Sequence, residues 1–277
     1  MNRRLIIISN AGTNNDLVGI DKDVSNYCNF FSSPEGGLWN FSKGGDAVCF
    51  KTNKITANEF LEYIRKEAAS SVDYWVIAFA GHGGSDPNKV DVLEVCPEQE
   101  GVISDCSIKE IRQAMGRNTR AVLISDCCRS PIPAYEHGGQ ISESMFSATT
   151  AEGEQYRVDC RKLYDQHFMM VPLGTFFLAQ ACSYGECSNG FSKGGYYSYH
   201  LLKQANTIIE EQKKHYRDSD YQDTVFSLSY VHTLAAPYVE RQADRLGEDQ
   251  HPEYSGPRCN QPPFCVIARN KRRLIFG

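Results

Sequence analysis

Short apolar segments alternate with helix-like segments along this chain, and the alternation constrains its fold more than any other feature. The runs RLIIIS (4–9), YWVIAFA (74–80) and RAVLIS (120–125) are almost entirely apolar, as strands buried on both faces of a parallel sheet are. Between the first two runs, apolar residues recur at helical spacing over residues 20–31. The pattern predicts an α/β fold, with a mainly parallel sheet covered by helices on both faces.

Further elements follow the same alternation. A T-x-x-E capping box predicts a helix from Thr56 to about Ala69, and an S-x-x-E box predicts one from Ser107 through Met115. The remaining predictions are strands at DAVCFK (46–51), TFFLAQA (175–181) and CVIARN (265–270), a surface hairpin around VDVLEV (90–95), and helices over 196–214 and 223–242. CVIARN is expected to close the sheet. Residues 131–172 show no clear periodicity and predict a long irregular loop, which is usually functional or mobile.

Composition excludes several classes of function. The net charge of −5, without a strongly basic patch, argues against a nucleic-acid binder. No apolar stretch approaches the roughly 18–20 residues of a membrane span, so no membrane partner is expected. MNRRLIIISN lacks the features of a secretory leader. The eleven cysteines contain no C-x-x-C pair, so neither a zinc ribbon nor a disulfide framework is favoured, and free thiols in the cytoplasm are expected.

Two distinctive sequences follow consecutive predicted strands, GHGG after residue 80 and SDCCRS from residue 125. Functional groups gather at the carboxyl ends of parallel strands, so His82 and the adjacent Cys127 and Cys128 are expected to face one another. An imidazole beside a thiol raises its thiolate fraction and later protonates a leaving amine. The alternative is a hydrogen-bonded histidine in a turn, with the cysteines used as small apolar residues.

These two sequences resemble the caspase signature, Q-A-C-[RQG]-G with a histidine about 50 residues upstream. They are more similar to the D-x-C-x-S and G-H-G patterns of the metacaspase, orthocaspase and bacterial caspase-like branch. That register makes Cys128 the nucleophile and leaves Cys127 without an assigned role. The resemblance covers most of the chain outside 131–172, and extends to GTNNDLVGIDKDV (12–24), SSPEGGLWN (32–40), QACSYGECSNGFSKGGYYSYHLL (180–202), EYSGPR (253–258) and PPFCV (262–266).

The resemblance implies a caspase-like fold with a six-stranded sheet, and a cysteine endopeptidase. It implies a single domain over 1–277, comprising a large-subunit-like part (1–130), a linker-like loop (131–172) and a small-subunit-like part (173–277). The catalytic pair would be His82 and Cys128, and the backbone N–H groups of Gly83 and Cys128 would hold the oxyanion. No third residue that orients the histidine is evident.

The specificity pocket is expected to be acidic. Caspases have a glutamine two residues before the nucleophile and cleave after aspartate, whereas this chain has Asp126 there. Asp23 matches a second pocket acid of the family pattern L-x-G-x-x-x-D. Two carboxylates favour a cationic side chain, so cleavage after Arg, and also after Lys, is predicted. Alternatively, Asp126 caps backbone N–H groups and Asp23 is an acid at a helix N-terminus. Glu186 is a further candidate for the pocket rim, whereas Arg129 is not expected in the pocket.

Residues 131–172 fall where caspases carry the linker between subunits. A peptidase specific for basic residues would be able to cut itself there after Arg157, Arg161 or Lys162. Metacaspases often need calcium, but the acids after the histidine do not match that cluster in spacing, so no cofactor or metal is predicted; these acids are Asp91, Glu94, Glu98 and Glu100.

The expected partner is a protein or peptide substrate with a basic residue before the scissile bond. The oligomeric state is not readable from the sequence. By resemblance alone, the biological role would be antiphage defence or regulated cell death. Two other functions stay open: a catalytically silent caspase-like scaffold, and a cysteine-dependent hydrolase of small molecules.

Overall fold

A computed structural model describes residues 1–12, 17, 19–52, 54–86, 88, 90–99, 101–130, 152–214 and 222–269. The helices are α1 (Ile20–Ser32), α2 (Ala57–Ala68), α3 (Ile108–Met115), α4 (Glu152–Met169), α5 (Tyr196–Lys214) and α6 (Leu228–Asp244). The strands are β1 (Arg3–Asn10), β2 (Ala47–Phe50), β3 (Tyr74–Gly81), β4 (Gly83–Ser85), β5 (Asp91–Glu94), β6 (Asp105–Ser107), β7 (Arg120–Asp126), β8 (Phe176–Gln180), β9 (Gly190–Phe191), β10 (Gly194–Gly195), β11 (Thr224–Ser227), β12 (Glu253–Ser255) and β13 (Pro263–Ile267).

Six strands form the central sheet in the order β12-β8-β7-β3-β1-β2. The five strands from β8 to β2 are parallel to their neighbours, and β12 pairs antiparallel with β8 at one edge. The predicted α/β architecture with a mainly parallel sheet is confirmed. The prediction that CVIARN closes this sheet is wrong, because β13 pairs antiparallel with β11 in a separate two-stranded ribbon.

Apolar cores lie on both faces of the sheet, because alternate residues of each strand point to opposite sides. On β1, Leu5 and Ile7 join a core with α1, α4, α5 and α6, whereas Ile6 and Ile8 join a second core with α2 and α3. Both predicted capping boxes form at the starts of α2 and α3, with the Thr56 and Ser107 side chains accepting backbone N–H groups. The double burial explains why these strands read as unbroken apolar runs.

The prediction of an irregular loop over 131–172 is wrong for residues 152–169, which form α4. Cys160, Tyr164 and Phe168 recur at four-residue spacing and are buried in the larger core. Asp165 on the same helix bonds the buried guanidinium of Arg3 at 2.9 Å. The helix therefore buries a charged residue together with apolar ones, which weakens the apolar periodicity expected of a surface helix.

Two other segments differ from their predictions. The helix predicted over 223–242 begins only at Leu228, because Thr224–Ser227 pairs as β11 and the Ser227 side chain caps the helix by accepting the Tyr230 N–H. The hairpin predicted around VDVLEV is a three-stranded antiparallel sheet, with β5 between β4 and β6. No helix in the described part of the chain is long and apolar enough to cross a membrane.

Candidate active site

The carboxyl ends of β3 and β7 lie side by side, as the sequence predicts. The two strands are parallel neighbours with Ala80 opposite Asp126, so the residues that follow each strand emerge at the same edge of the sheet. His82 and Cys128 both line a cavity of about 300 Å³ at this edge, together with Asp23 and Asp126. The structure therefore brings the predicted nucleophile, base and pocket acids into one cavity.

The two adjacent cysteines occupy different environments. Cys127 is 5% exposed, and burial raises the pKa of its thiol to about 12. Cys128 is half-buried and lines the cavity. Of the two sulfurs, only that of Cys128 therefore lies at the cavity, and Cys128 is the cysteine that the family register predicts as nucleophile.

Cys127 has a packing role that the sequence did not reveal. A Cβ atom added to Gly83 would lie 2.7 Å from the Cys127 sulfur and 2.8 Å from the Val92 carbonyl oxygen. The strand after the histidine therefore lies directly against Cys127, and any side chain at position 83 would have to push the two apart. This contact fixes the position of the GHGG turn relative to the end of β7.

The two predicted pocket acids are buried beside each other on the cavity wall. The Asp126 carboxylate accepts hydrogen bonds from the Ser188 hydroxyl and from the Ser198 N–H at 2.7 Å. Asp23 Oδ2 accepts the Gly195 N–H at 2.8 Å. Asp23 Oδ1 is buried and has no hydrogen-bond partner. The Asp126 carboxylate is therefore hydrogen-bonded within the protein, whereas the Asp23 carboxylate keeps one oxygen that accepts no hydrogen bond.

Burial raises the pKa of both carboxyls. Desolvation is the main cause for Asp23, to which the nearby Asp126 adds repulsion. Desolvation also dominates for Asp126, although its bonds to Ser188 and Ser198 oppose it. Two neighbouring buried carboxyls without a cation are unfavourable. A positively charged ligand group in this cavity would relieve both the repulsion and the missing hydrogen bond.

A glycine pair packs closely against these acids. A Cβ atom on Gly194 would lie 2.1 Å from Asp23 Oδ1, and one on Gly195 would lie 2.3 Å from Asp126 Oδ2. Gly194 also has a φ of +124°, which side-chain-bearing residues rarely adopt. The β9–β10 hairpin therefore approaches the carboxylates this closely only because both residues are glycine.

Ser188 and Asn189 line the cavity, and sequence reasoning missed both. The Asn189 side-chain nitrogen is buried without a hydrogen-bond partner, and its backbone N–H donates to Gln250 Oε1 at 2.9 Å. The available signal was the run SNG, a turn sequence after the strand next to the nucleophile strand.

Arg129 and Glu186 both lie in structural networks. The Arg129 guanidinium bonds both oxygens of Asp91, at 3.0 and 3.2 Å, and the Cys182 carbonyl oxygen at 3.0 Å. The Glu186 carboxylate accepts the backbone N–H groups of Ser183 and His251 and pairs with the His251 ring. Glu186 is therefore used in holding its own loop, and its assignment to the pocket rim stays a prediction.

Two of the acids after the histidine, Asp91 and Glu94, are held by contacts within the protein, and Glu100 lies outside the described residues. Asp91 is bonded by Arg129 and by the Gln180 side chain, and the Glu94 carboxylate by Asn10. Within the described ranges, no group of three or more His, Cys, Asp or Glu side chains is arranged to hold a metal ion.

The sequence matches one family of known proteins. A family model described as the caspase domain matches residues 2–256, which is nearly the whole chain. The chain belongs to the caspase family. It is therefore a cysteine peptidase, and its substrates are proteins or peptides.

Solved structures of low sequence identity are similar to this caspase domain. Protein GSU0716 from Geobacter sulfurreducens is 14% identical, with 96% of this chain and 100% of that chain covered and a TM-score of 0.48. Caspase-1 from Spodoptera frugiperda is 11% identical, with 97% and 86% covered and a TM-score of 0.48. The Drosophila initiator caspase Dronc is 11% identical, with 97% and 82% covered and a TM-score of 0.49. No curated protein sequence gives a match.

Proposed function

We propose that this caspase domain is an endopeptidase that cleaves proteins after arginine, and less efficiently after lysine, with Cys128 as nucleophile and His82 as base. The observation that carries the proposal is the shared cavity, in which the half-buried Cys128 sulfur lies beside two buried carboxyls. Of these, Asp23 has an oxygen without a partner. Attack on the peptide bond by the Cys128 sulfur and binding of a cationic substrate side chain by the two acids would therefore occur in the same cavity.

The chemical steps follow from the thiol and the imidazole. His82 takes the proton of Cys128, and the sulfur attacks the carbonyl carbon of the scissile bond. The backbone N–H groups of Gly83 and Cys128 hold the oxyanion, where one donor typically contributes about 10²–10³ in rate. The C–N bond breaks as His82 returns the proton to the amine, and water then hydrolyses the thioester.

The preference for arginine rests on the geometry of the acids. A guanidinium carries several N–H donors in a planar fork, and it can bond the unused Asp23 oxygen and a second carboxylate together. An ammonium group supplies the charge without the fork. A substrate aspartate would add a third negative charge to a cavity in which repulsion already raises the pKa of Asp23.

Autoprocessing after Arg157, Arg161 or Lys162 stays a prediction, and the fold adds a condition. All three residues lie in α4, and the Arg161 guanidinium bonds Asp46 at 2.8 Å. A peptidase binds its substrate extended, so turns of α4 must open before cleavage. No Lys or Arg occurs between Arg129 and Arg157, so the segment 131–151 offers no alternative site.

The chemistry proposed here needs no cofactor. Activity is accordingly expected to be the same with a chelator and with added calcium. A role in antiphage defence or regulated cell death remains an expectation drawn from the resemblance to bacterial caspase-like proteins, and a place in the cytoplasm remains one drawn from the cysteines.

The test combines covalent labelling with a peptide library. A peptidyl-arginine chloromethyl ketone should label the wild-type chain and the Cys127→Ala variant, but not Cys128→Ala. A library varied at the residue before the scissile bond should show cleavage after Arg, then Lys, and none after Asp. Absence of labelling in wild type would favour a silent scaffold, and cleavage after Asp would refute the acidic pocket.

A further inference from the structure

A second cysteine, Cys187, lies against the nucleophile. The Cys128 and Cys187 thiols are in hydrogen-bonding contact, although 58 residues separate them along the chain. The backbone around them is held together, because the Arg129 N–H donates to the Glu186 carbonyl oxygen at 2.9 Å and the Gly185 N–H donates to the Arg129 carbonyl oxygen at 3.1 Å. Hydrogen bonds between the backbone segments at 129 and 185–186 therefore hold the two cysteines close together.

Cys187 is also the accessible member of the pair. It is exposed, whereas each of the other ten cysteines is buried or half-buried. The Cys128 thiol is also within 3.8 Å of the Ser188 carbonyl oxygen, and the Ser130 hydroxyl is 3.7 Å from the Cys187 sulfur. The Cys128 sulfur therefore lies at the cavity, and the exposed Cys187 sulfur lies against it.

We propose that Cys187 is a peroxide-reactive cysteine that forms a reversible disulfide with Cys128, and that this disulfide switches the peptidase off. The switching part rests on the proposed function, because it requires Cys128 to be the nucleophile. The disulfide itself does not.

The chemistry balances with a hydroperoxide as oxidant. The Cys187 thiolate attacks one peroxide oxygen, the O–O bond breaks, and a sulfenic acid and one hydroxide form. The Cys128 sulfur then attacks the Cys187 sulfur, the S–O bond breaks, and a second hydroxide leaves. With hydrogen peroxide, two thiols lose two electrons and two protons, and the peroxide becomes two molecules of water.

The electrostatics of the pair agree with this order of events. The hydrogen bond that Cys187 accepts from Cys128 lowers the pKa of Cys187 to about 6. Donating that bond, together with burial, raises the pKa of Cys128. Oxidation follows thiolate character and exposure, and Cys187 has more of both.

The first experiment maps the crosslink. Reduced protein is treated with hydrogen peroxide, free thiols are blocked with N-ethylmaleimide, and peptides are mapped without reduction. We expect a peptide pair joined through Cys128 and Cys187, and its loss after dithiothreitol. In Cys128→Ser, whose hydroxyl can still donate to the Cys187 sulfur but cannot form the disulfide, dimedone should trap a sulfenic acid on Cys187. Absence of the crosslink, or of the trapped sulfenic acid, would overturn the proposal.

The second experiment follows activity in Cys187→Ser. Wild type should be inactivated by peroxide and recover most of its activity with dithiothreitol. The variant should be inactivated about tenfold more slowly, because its remaining thiol, Cys128, is half-buried and less accessible to peroxide than the exposed Cys187. Its loss should not reverse, because Cys128 has no partner and is oxidised further. Equal, fully reversible inactivation of the variant and wild type would overturn the switch.

A matched control comes from another thiol pair. Cys28 and Cys49 are also in hydrogen-bonding contact, and both are half-buried. Cys49→Ser should therefore respond to peroxide as wild type does.

The two proposals can fail independently. A Cys128–Cys187 crosslink in a chain without peptidase activity would support the disulfide and contradict the proposed function. Peptidase activity without the crosslink would support the proposed function and contradict the disulfide.

Discussion

Asp23→Asn is the sharpest perturbation of the proposed pocket. The Asp23 side chain is fully buried; Oδ2 accepts the Gly195 N–H at 2.8 Å, and Oδ1 has no partner. Asparagine has the same shape, and its oxygen can keep the bond to Gly195. The substitution therefore replaces only the unused oxygen by an N–H₂ donor, which cannot bond a substrate guanidinium.

The expected loss is that of one charge-assisted hydrogen bond. Such bonds contribute about 1.5–3 kcal/mol, which corresponds to about 10- to 150-fold in kcat/KM. Part of the recognition should remain, because Asp126 lines the same cavity. A peptide with citrulline in place of arginine has a neutral group of nearly the same shape. Its kcat/KM should therefore differ little between wild type and Asp23→Asn.

The assay compares arginine and citrulline peptides in three proteins: wild type, Asp23→Asn and Asp21→Asn. Asp21 lies in the same first turn of α1, so its variant controls for the charge at the helix N-terminus. The ratio of kcat/KM for arginine over citrulline should fall in Asp23→Asn alone. An unchanged ratio in that variant, or an equal fall in Asp21→Asn, would refute the assignment of Asp23.

Three further predictions follow from the site. Burial raises the pKa of both pocket carboxyls. As the pH is lowered, they should therefore become protonated at a pH above the ordinary aspartate pKa of about 3.9. The arginine-over-citrulline ratio should therefore fall as pH drops toward that value, and a ratio constant throughout that range would contradict the shift. Arg129→Ala leaves the Asp91 carboxylate without its guanidinium, and should cost about 2–3 kcal/mol in urea unfolding. A change below about 0.5 kcal/mol would show that the network is not structural. Purified wild type incubated beside Cys128→Ala should give new amino termini only within α4 and only in wild type, and a fully active chain that stays intact would exclude processing as a requirement.

The sheet and the edge that carries the site could be predicted because local sequence determines them. Burial on both faces makes each strand an apolar run, and parallel pairing then places the ends of β3 and β7 together. The α4 helix was missed because it buries Asp165 against Arg3 as well as apolar residues. That ion pair joins positions 162 residues apart, so no short segment of the sequence contains both partners and shows why Asp165 is buried.

The walls of the pocket were harder to predict than its acids. Asp126 and Asp23 occupy positions that the resemblance to the family pattern marks in the sequence. Ser188, Gly194 and Gly195 reach them from the segment 188–195, more than 60 residues further along the chain than Asp126. The contact of Cys187 with Cys128 has the same origin, since only the pairing of two distant backbone segments creates it.

The crystal structure of the chain inactivated with a peptidyl-arginine chloromethyl ketone would test the central claim most directly. The account predicts a covalent bond from the Cys128 sulfur to the inhibitor, with the guanidinium within hydrogen-bonding distance of Asp23 Oδ1 and the Asp126 carboxylate. A guanidinium in solvent, or an adduct on another cysteine, would contradict it.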